Sequence, residues 1–299
     1  MEKADAHLEE SLRELNDRVH ELEASEDLEQ LLEAYVNRGR VLAMMEYRTS
    51  ALDDFETASE LADDLVSSGT EVDPGTYVRI HSAMASLVFD QDGDPVEEYY
   101  HVASKLDGLD AGSRHYDQRS IVRLCITASE DLIDCGHPED CRVFVEKGLS
   151  MTESRDPWFQ NRRMELHGLS AEAYDALNDV HSSIRSCTDA IEVGTDLMER
   201  GVLEDTDSLV MILVMRADSE SSIGDNDMAI VDLTVAVNVM EGLLENHGLP
   251  DQEPLISLHH DLASVLMKAG RVEEAEKHLI RAMEIGVGRG AAGMDDMLR

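Results

Sequence analysis

Positive charge is what this chain has least of. Five lysines and twenty arginines face 64 acidic residues, for a formal net charge of −39. Such a surface repels phosphate backbones and anionic headgroups, so neither nucleic acid nor a membrane is expected as a partner. Two explanations of the lysine deficit stand side by side: adaptation to high internal salt, or an acidic coat that maintains solubility. Aromatic residues are only 4% with one tryptophan, Trp158, which excludes a carbohydrate-stacking helical toroid. Four cysteines with no CxxC make no disulfide framework and fit a reducing, cytoplasmic setting. The longest apolar run, Leu209 to Met215, is far short of the ~20 residues a membrane helix needs. MEKADAHLEESL has no apolar stretch of the secretory kind.

Catalytic and metal motifs are missing as well. There is no HExxH, no GxSxG and no glycine-rich phosphate loop with lysine. Asp90-Gln91-Asp92-Gly93-Asp94 has the acids of a calcium loop, but His101 stands where the closing glutamate belongs, so a solvated turn is expected. Cys135, His137 and Cys141 lack a second pair to complete a zinc site. His259-His260-Asp261 sits on one helix, where adjacent side chains diverge and cannot chelate one ion. The expectation is a non-enzyme with no cofactor and no metal.

What the chain does have is a recurring spacing. The pattern small-x3-large-x2-small falls at Ala275, Leu279, Ala282; Ala229, Leu233, Ala236; Ser183, Cys187, Ala190; Cys141, Val145, Gly148; Val96, Tyr100, Ala103; and Ala51, Phe55, Ala58. Five residues before each set come Gly270, Gly224, Asn178, Gly136, Gln91 and Glu46, the place of a helix-ending turn. Twelve before lie Ala263, Ala217, Ala171, Ser129, Met84 and Gly39, small except at Met84. Small residues at set places let two helices approach closely, and a hairpin that cannot bury its own face requires copies. Three slots break the pattern: Met84 is large, Glu220 is charged where an apolar residue belongs, and Gln91 lacks the turn glycine.

This pattern resembles the tetratricopeptide repeat family over residues about 27 to 286. The period, 45, 45, 42, 46 and 46 residues, exceeds the roughly 34 of the common form. It is similar to the long-repeat kind, of which the kinesin light chain is the familiar example. The resemblance implies an all-α, right-handed α-α superhelix, a solenoid of about six helical hairpins behind an N-terminal capping helix. The expected organisation is a capping helix over 1–26, repeats over about 27–70, 74–108, 117–153, 157–200, 207–247 and 254–286, and a flexible tail over 287–299. Asp73-Pro74, Asp156-Pro157 and Glu253-Pro254 open hairpins, and Gly108, Gly112, Gly201 and Gly248 punctuate them. Leu8, Leu12, Leu15, Val19 and Leu22 form a heptad stripe, either the capping face or a homo-dimerising coil over residues 7–24.

In this family the first helix of each pair lines an inner groove that holds a segment of another protein. Carried onto these frames, the groove residues are Arg40, Met44, His81, Phe89, Arg123, Glu130, Asp134, Glu165, Glu172, Asp175, Asp218, His260 and Met267. The lysine and asparagine set that clamps a terminal carboxylate in chaperone-binding members is not present. The middle acids form either a stripe for a basic or amphipathic segment or simply a solvated face. The expected function is a non-catalytic scaffold or adaptor for a protein or peptide segment. The alternatives are a regulatory sensor that binds a small peptide or controls another enzyme, and a self-assembling structural protein.

Overall fold

The computed structural model describes the backbone of residues 2–25, 27–109, 116–247 and 251–297, and within these the side chains of 6–25, 27–109, 116–245 and 251–287. Among the described residues the chain is all-α, with no strand. An N-terminal helix, α1 (Glu2–Glu23), precedes six helical pairs. These are α2 (Leu28–Met44) with α3 (Arg48–Ser67), α4 (Pro74–Phe89) with α5 (Val96–Lys105), and α6 (Gln118–Asp134) with α7 (Arg142–Met151). Then come α8 (Pro157–Ala176) with α9 (Val180–Glu199), α10 (Thr206–Ser222) with α11 (Asn226–His247), and α12 (Glu253–Lys268) with α13 (Val272–Met297). Gly112 and Gly248, expected as punctuation, lie outside the described residues. Residues 287–297, expected as flexible tail, continue α13 in backbone; Ala291 and Ala292 favour that helix, against a cost of about 1 kcal/mol for each glycine.

Aspartate starts five of the six first helices. The side chains of Asp27, Asp73, Asp117, Asp156 and Asp205 accept hydrogen bonds from the first free N–H groups of α2, α4, α6, α8 and α10. Pro74 and Pro157 add a pre-set φ at the first helical position, where no N–H is needed. The hairpin turns use the left-handed conformation at Glu46, Asp92, Asn178, Gly136, Gly224 and Gly270. Five of these are the positions the spacing assigns to turns.

Two compact units divide the chain, Met1–Met151 and Thr152–Arg299. In the first, Val36, Phe55, Ala58 and Ile80 are fully buried in one cluster joining α2, α3 and α4. Gly39 gives the Phe55 ring room there: a Cβ would stand 3.1 Å from it. Val19 and Leu22 of α1 are buried with Leu31 and Ala34 of α2, whereas Leu8, Leu12 and Leu15 of the N-terminal stripe are half-buried. In the second unit a single cluster runs from Met164 to Ile285, and Ala217, Ala229, Ala236 and Ala263 within it are completely buried.

Only the second hairpin departs from the repeat frame. Tyr100, assigned to the large core slot, is 57% exposed, whereas Tyr99, Val102 and Leu106 are buried. The cause is local: α5 begins at Val96, four residues past the left-handed Asp92, against two in the turns at Glu46, Asn178, Gly224 and Gly270. Pro95 delays the helix, since the residue before a proline is disfavoured in helical geometry.

Candidate partner-binding surface

In the first unit, Glu33, Asn37 and Arg40 of α2, Arg79 and Ser82 of α4, Tyr116 just before α6 and Ser120 on α6 surround a cavity of about 630 Å³. Arg79 Nη1 donates to both oxygens of Glu33 at 3.3 and 3.4 Å. Burial pushes the Tyr116 hydroxyl up from its usual range, opposed by its hydrogen bond with Ser82 and by the charges of Arg79 and Arg40. Arg40 and Met44 are exposed, as are Arg123, Glu130 and Asp134 on α6, while Phe89 is half-buried.

His81 faces elsewhere. It is 5% exposed, its Nδ1 lies 2.6 Å from Glu98 Oε2, its Nε2 lies 3.4 Å from Ser59 Oγ, and its ring stacks on His101. Serine, histidine and carboxylate are thus in the order of a nucleophilic triad. The surroundings do not suit that chemistry: Ser59 is in the interior of α3, where backbone N–H groups are held by the helix and cannot form an oxyanion hole. The arrangement ties α3, α4 and α5 together.

In the second unit the acids converge. Asp218 on α10 is held above the usual carboxylate range by burial first, and then by the charges of Asp261 on α12 and Asp175 on α8, with Lys268 opposing. Three successive first helices therefore share one negative field. Met211 and Met267, 67% and 50% exposed, lie on α10 and α12, and Glu172 and His260 are exposed. Glu165 is half-buried beside Arg162, 3.3 Å away, and burial raises it more than that charge lowers it.

Buried polar groups join first helix to second. Arg38 holds Asp54 through two hydrogen bonds of 2.8 and 2.7 Å, and Arg216 holds Asp232 through two of 2.7 Å, each pair sixteen residues apart. Ser170 and Ser186, at the same separation, meet at 3.1 Å between hydroxyls. Glu220 is buried with Oε2 unpartnered and is pushed up to about 7, by burial first and then by Asp232. Burial pushes the Cys125 and Cys187 thiols up to about 12, the behaviour of inert core cysteines. Among the described residues no three His, Cys, Asp or Glu side chains are grouped to hold a metal ion, and no helix is long and apolar enough to cross a membrane.

No family model matches the sequence, and no curated protein matches it in sequence. Solved structures are similar in fold. RapI in its apo form superposes with a TM-score of 0.60 at 13% identity, over 93% of this chain and 76% of that one. BtubC (BKLC) from P. vanneervenii gives 0.55 at 18% identity, over 82% and 92%. Aspartyl phosphate phosphatase F from Bacillus subtilis gives 0.54 at 14% identity, over 94% and 71%. These neighbours are tetratricopeptide-repeat proteins. The fold is tetratricopeptide-like.

Within that tetratricopeptide-like frame, the expected groove residues separate. His81 is corrected to a core residue, because its ring meets Glu98 and Ser59 instead of solvent. Glu130 and Asp134 belong to the first unit, and Glu165, Glu172, Asp175, Asp218, His260 and Met267 to the second. Asp261 joins Asp175 and Asp218 although the sequence reading passed over it. The repeat spacing does not mark it: Asp261 lies two positions before the small slot at Ala263, whereas Asp175 lies four after Ala171 and Asp218 one after Ala217. Arg79 and Tyr116 were also missed: the first looked like one arginine among twenty, and the second lies just before α6 begins.

Proposed function

We propose that this protein is a non-catalytic scaffold that binds a segment of another protein along its first helices, and that the second unit takes a basic, amphipathic segment. The observation that supports this most is the shared field of Asp175, Asp218 and Asp261 on α8, α10 and α12, beside exposed Met211 and Met267. A carboxylate such as Asp218, raised by its acidic neighbours, is stabilised by an incoming cation, and flexible methionines accommodate an apolar side chain. A carboxylate-rich segment would be repelled from the same place.

The test is fluorescence anisotropy with a labelled Lys/Leu amphipathic helix peptide and its Glu/Leu counterpart. The basic peptide is expected to bind the whole chain, more weakly at 0.5 M salt, and to lose affinity when Asp175→Asn, Asp218→Asn and Asp261→Asn are combined. Equal binding of both peptides, or an unaffected triple variant with native circular dichroism, would show that these acids only solvate the surface. A sensor that binds a small peptide or controls another enzyme is the second reading, supported by likeness in fold to RapI and aspartyl phosphate phosphatase F.

A further inference from the structure

The sequence sets His259 beside His260 and so disposes of it as a ligand, but folding brings it a different partner, nineteen residues on. His259 Nδ1 on α12 lies 3.1 Å from His278 Nδ1 on α13, with ring centroids 5.3 Å apart and planes inclined by 31°. The other nitrogen of His259, Nε2, lies 3.2 Å from Glu241 Oε1 on α11. Glu241 is itself fixed by Arg281, whose Nε and Nη2 donate to its two oxygens at 2.7 and 2.8 Å. That bond holds the carboxylate below its ordinary range, so it is ionised and accepts the Nε2–H of His259. The Nδ1 lone pair of His259 is consequently aimed at the Nδ1 of His278.

We propose that His259 and His278 form a two-imidazole site for a borderline divalent transition metal ion, with Zn²⁺ as its type. Two Zn–N bonds of about 2.0–2.1 Å at a tetrahedral angle set their nitrogens about 3.3–3.4 Å apart, and the 3.1 Å found needs a slight spreading of the rings with each turned so that both lone pairs converge beside the line between the nitrogens. Glu241 on the far nitrogen of His259 is the outer carboxylate that metal-binding histidines use to fix tautomer and orientation. In the metal-free chain one proton lies between the two Nδ1 atoms, and it belongs to His278, because the proton of His259 is on Nε2. On binding, that proton moves to Nε2 of His278. The ring stays neutral, and no redox step is involved. Water completes the coordination, since among the described residues no third protein ligand converges here. His259 is 2% exposed but His278 is half-buried, which leaves the ion an approach from solvent. The charges facing the pair are Glu241 from α11, His260 from α12, and Glu274, Lys277 and Arg281 from α13. Bound metal would clasp α12 to α13 and, through Glu241, both to α11. This site is independent of the scaffold reading.

The experiment titrates ZnCl₂ into the full, chelator-treated chain with ¹⁵N-histidine labelling. Zn²⁺ is expected to move the Nδ1 resonances of His259 and His278 ahead of those of the other histidines and to raise the melting temperature by several degrees. His278→Gln should abolish the melting shift, and His260→Gln should keep it. The proposal is overturned if the two Nδ1 resonances are unmoved, leaving a proton-sharing hydrogen-bonded pair only, or if His278→Gln retains the full melting shift. The wild-type resonances decide the matter even if His278→Gln folds poorly.

Discussion

Glu220 is the residue least at ease in this fold. It occupies the slot where other first helices carry Leu266, Leu132 or Leu42, and it is 5% exposed with one oxygen unpartnered. Its carboxyl is pushed up to about 7, so the folded state resists ionisation that the unfolded chain accepts near 4.5. Stability is therefore retained below about pH 4.5 and is lost progressively as pH rises through 7. Glu220→Gln removes that loss. The melting temperature of the variant should exceed wild type at pH 8 and match it near pH 5, with a gain on the order of 1–3 kcal/mol at the higher pH; a difference that does not change with pH would contradict this.

Arg216 and Asp232 sit beside Glu220, and their side chains are 13% and 2% exposed. Breaking such a pair strands a buried charge, whereas replacing both partners by apolar groups does not. Arg216→Met should cost about 3–5 kcal/mol in chemical denaturation, and Arg216→Met with Asp232→Leu should recover most of it. The same separation of sixteen residues in Arg38 and Asp54 makes the bridge a register pin between first and second helix, used in one hairpin of each unit. Neither bridge shows in a hydrophobic pattern, because a pattern records only which residues avoid water.

At the level of helices, the information is mostly local and mostly legible. Aspartate caps, prolines at first positions and left-handed turn residues all act within three or four residues of where they stand, so sequence spacing finds them. The frame places Ala229 in a closed crossing: it is fully buried in the cluster of α10 and α11, while Met228 beside it is 43% exposed. Ala229→Trp should overpack that crossing by about 1–3 kcal/mol or more, and Met228→Trp should stay within about 0.5 kcal/mol of wild type. Equal losses in thermal unfolding would mean that the repeat frame is misplaced. α5 shows the limit of local reading. Two prolines, Pro95 and Pro138, delay α5 and α7, and both helices are ten residues long against twenty or more for the other second helices. The rule small-x3-large-x2-small slips by one residue in α5, after Pro95, but holds at Cys141, Val145 and Gly148 in spite of Pro138.

For the molecule as a whole, charge is the dominant fact. A net −39 on 299 residues repels itself, and the repulsion is screened within about 10 Å at 0.1 M salt. Its melting temperature should therefore rise between 10 mM and 1 M NaCl, in contrast to a protein held by isolated surface ion pairs; a flat or falling curve would show that ion pairs such as Arg79 with Glu33 outweigh the repulsion.

The sequence by itself determined the class of fold, the hairpins and five of their turn positions, the starts at Asp73-Pro74 and Asp156-Pro157, and the apolar positions Val19 and Leu22 that α1 lays on α2, because each rests on contacts within a turn or on a periodicity. Tertiary structure decided what the polar residues do. His81 and His101, Arg216 and Asp232, His259 with His278 and Glu241, and the meeting of Asp175, Asp218 and Asp261 all join residues from different helices. Whether a charged or titratable side chain faces solvent, a counter-charge or another imidazole depends on the rotation and spacing of neighbouring helices. Hydrophobic periodicity fixes which face of a helix is inward; it does not fix which polar group of the next helix stands opposite.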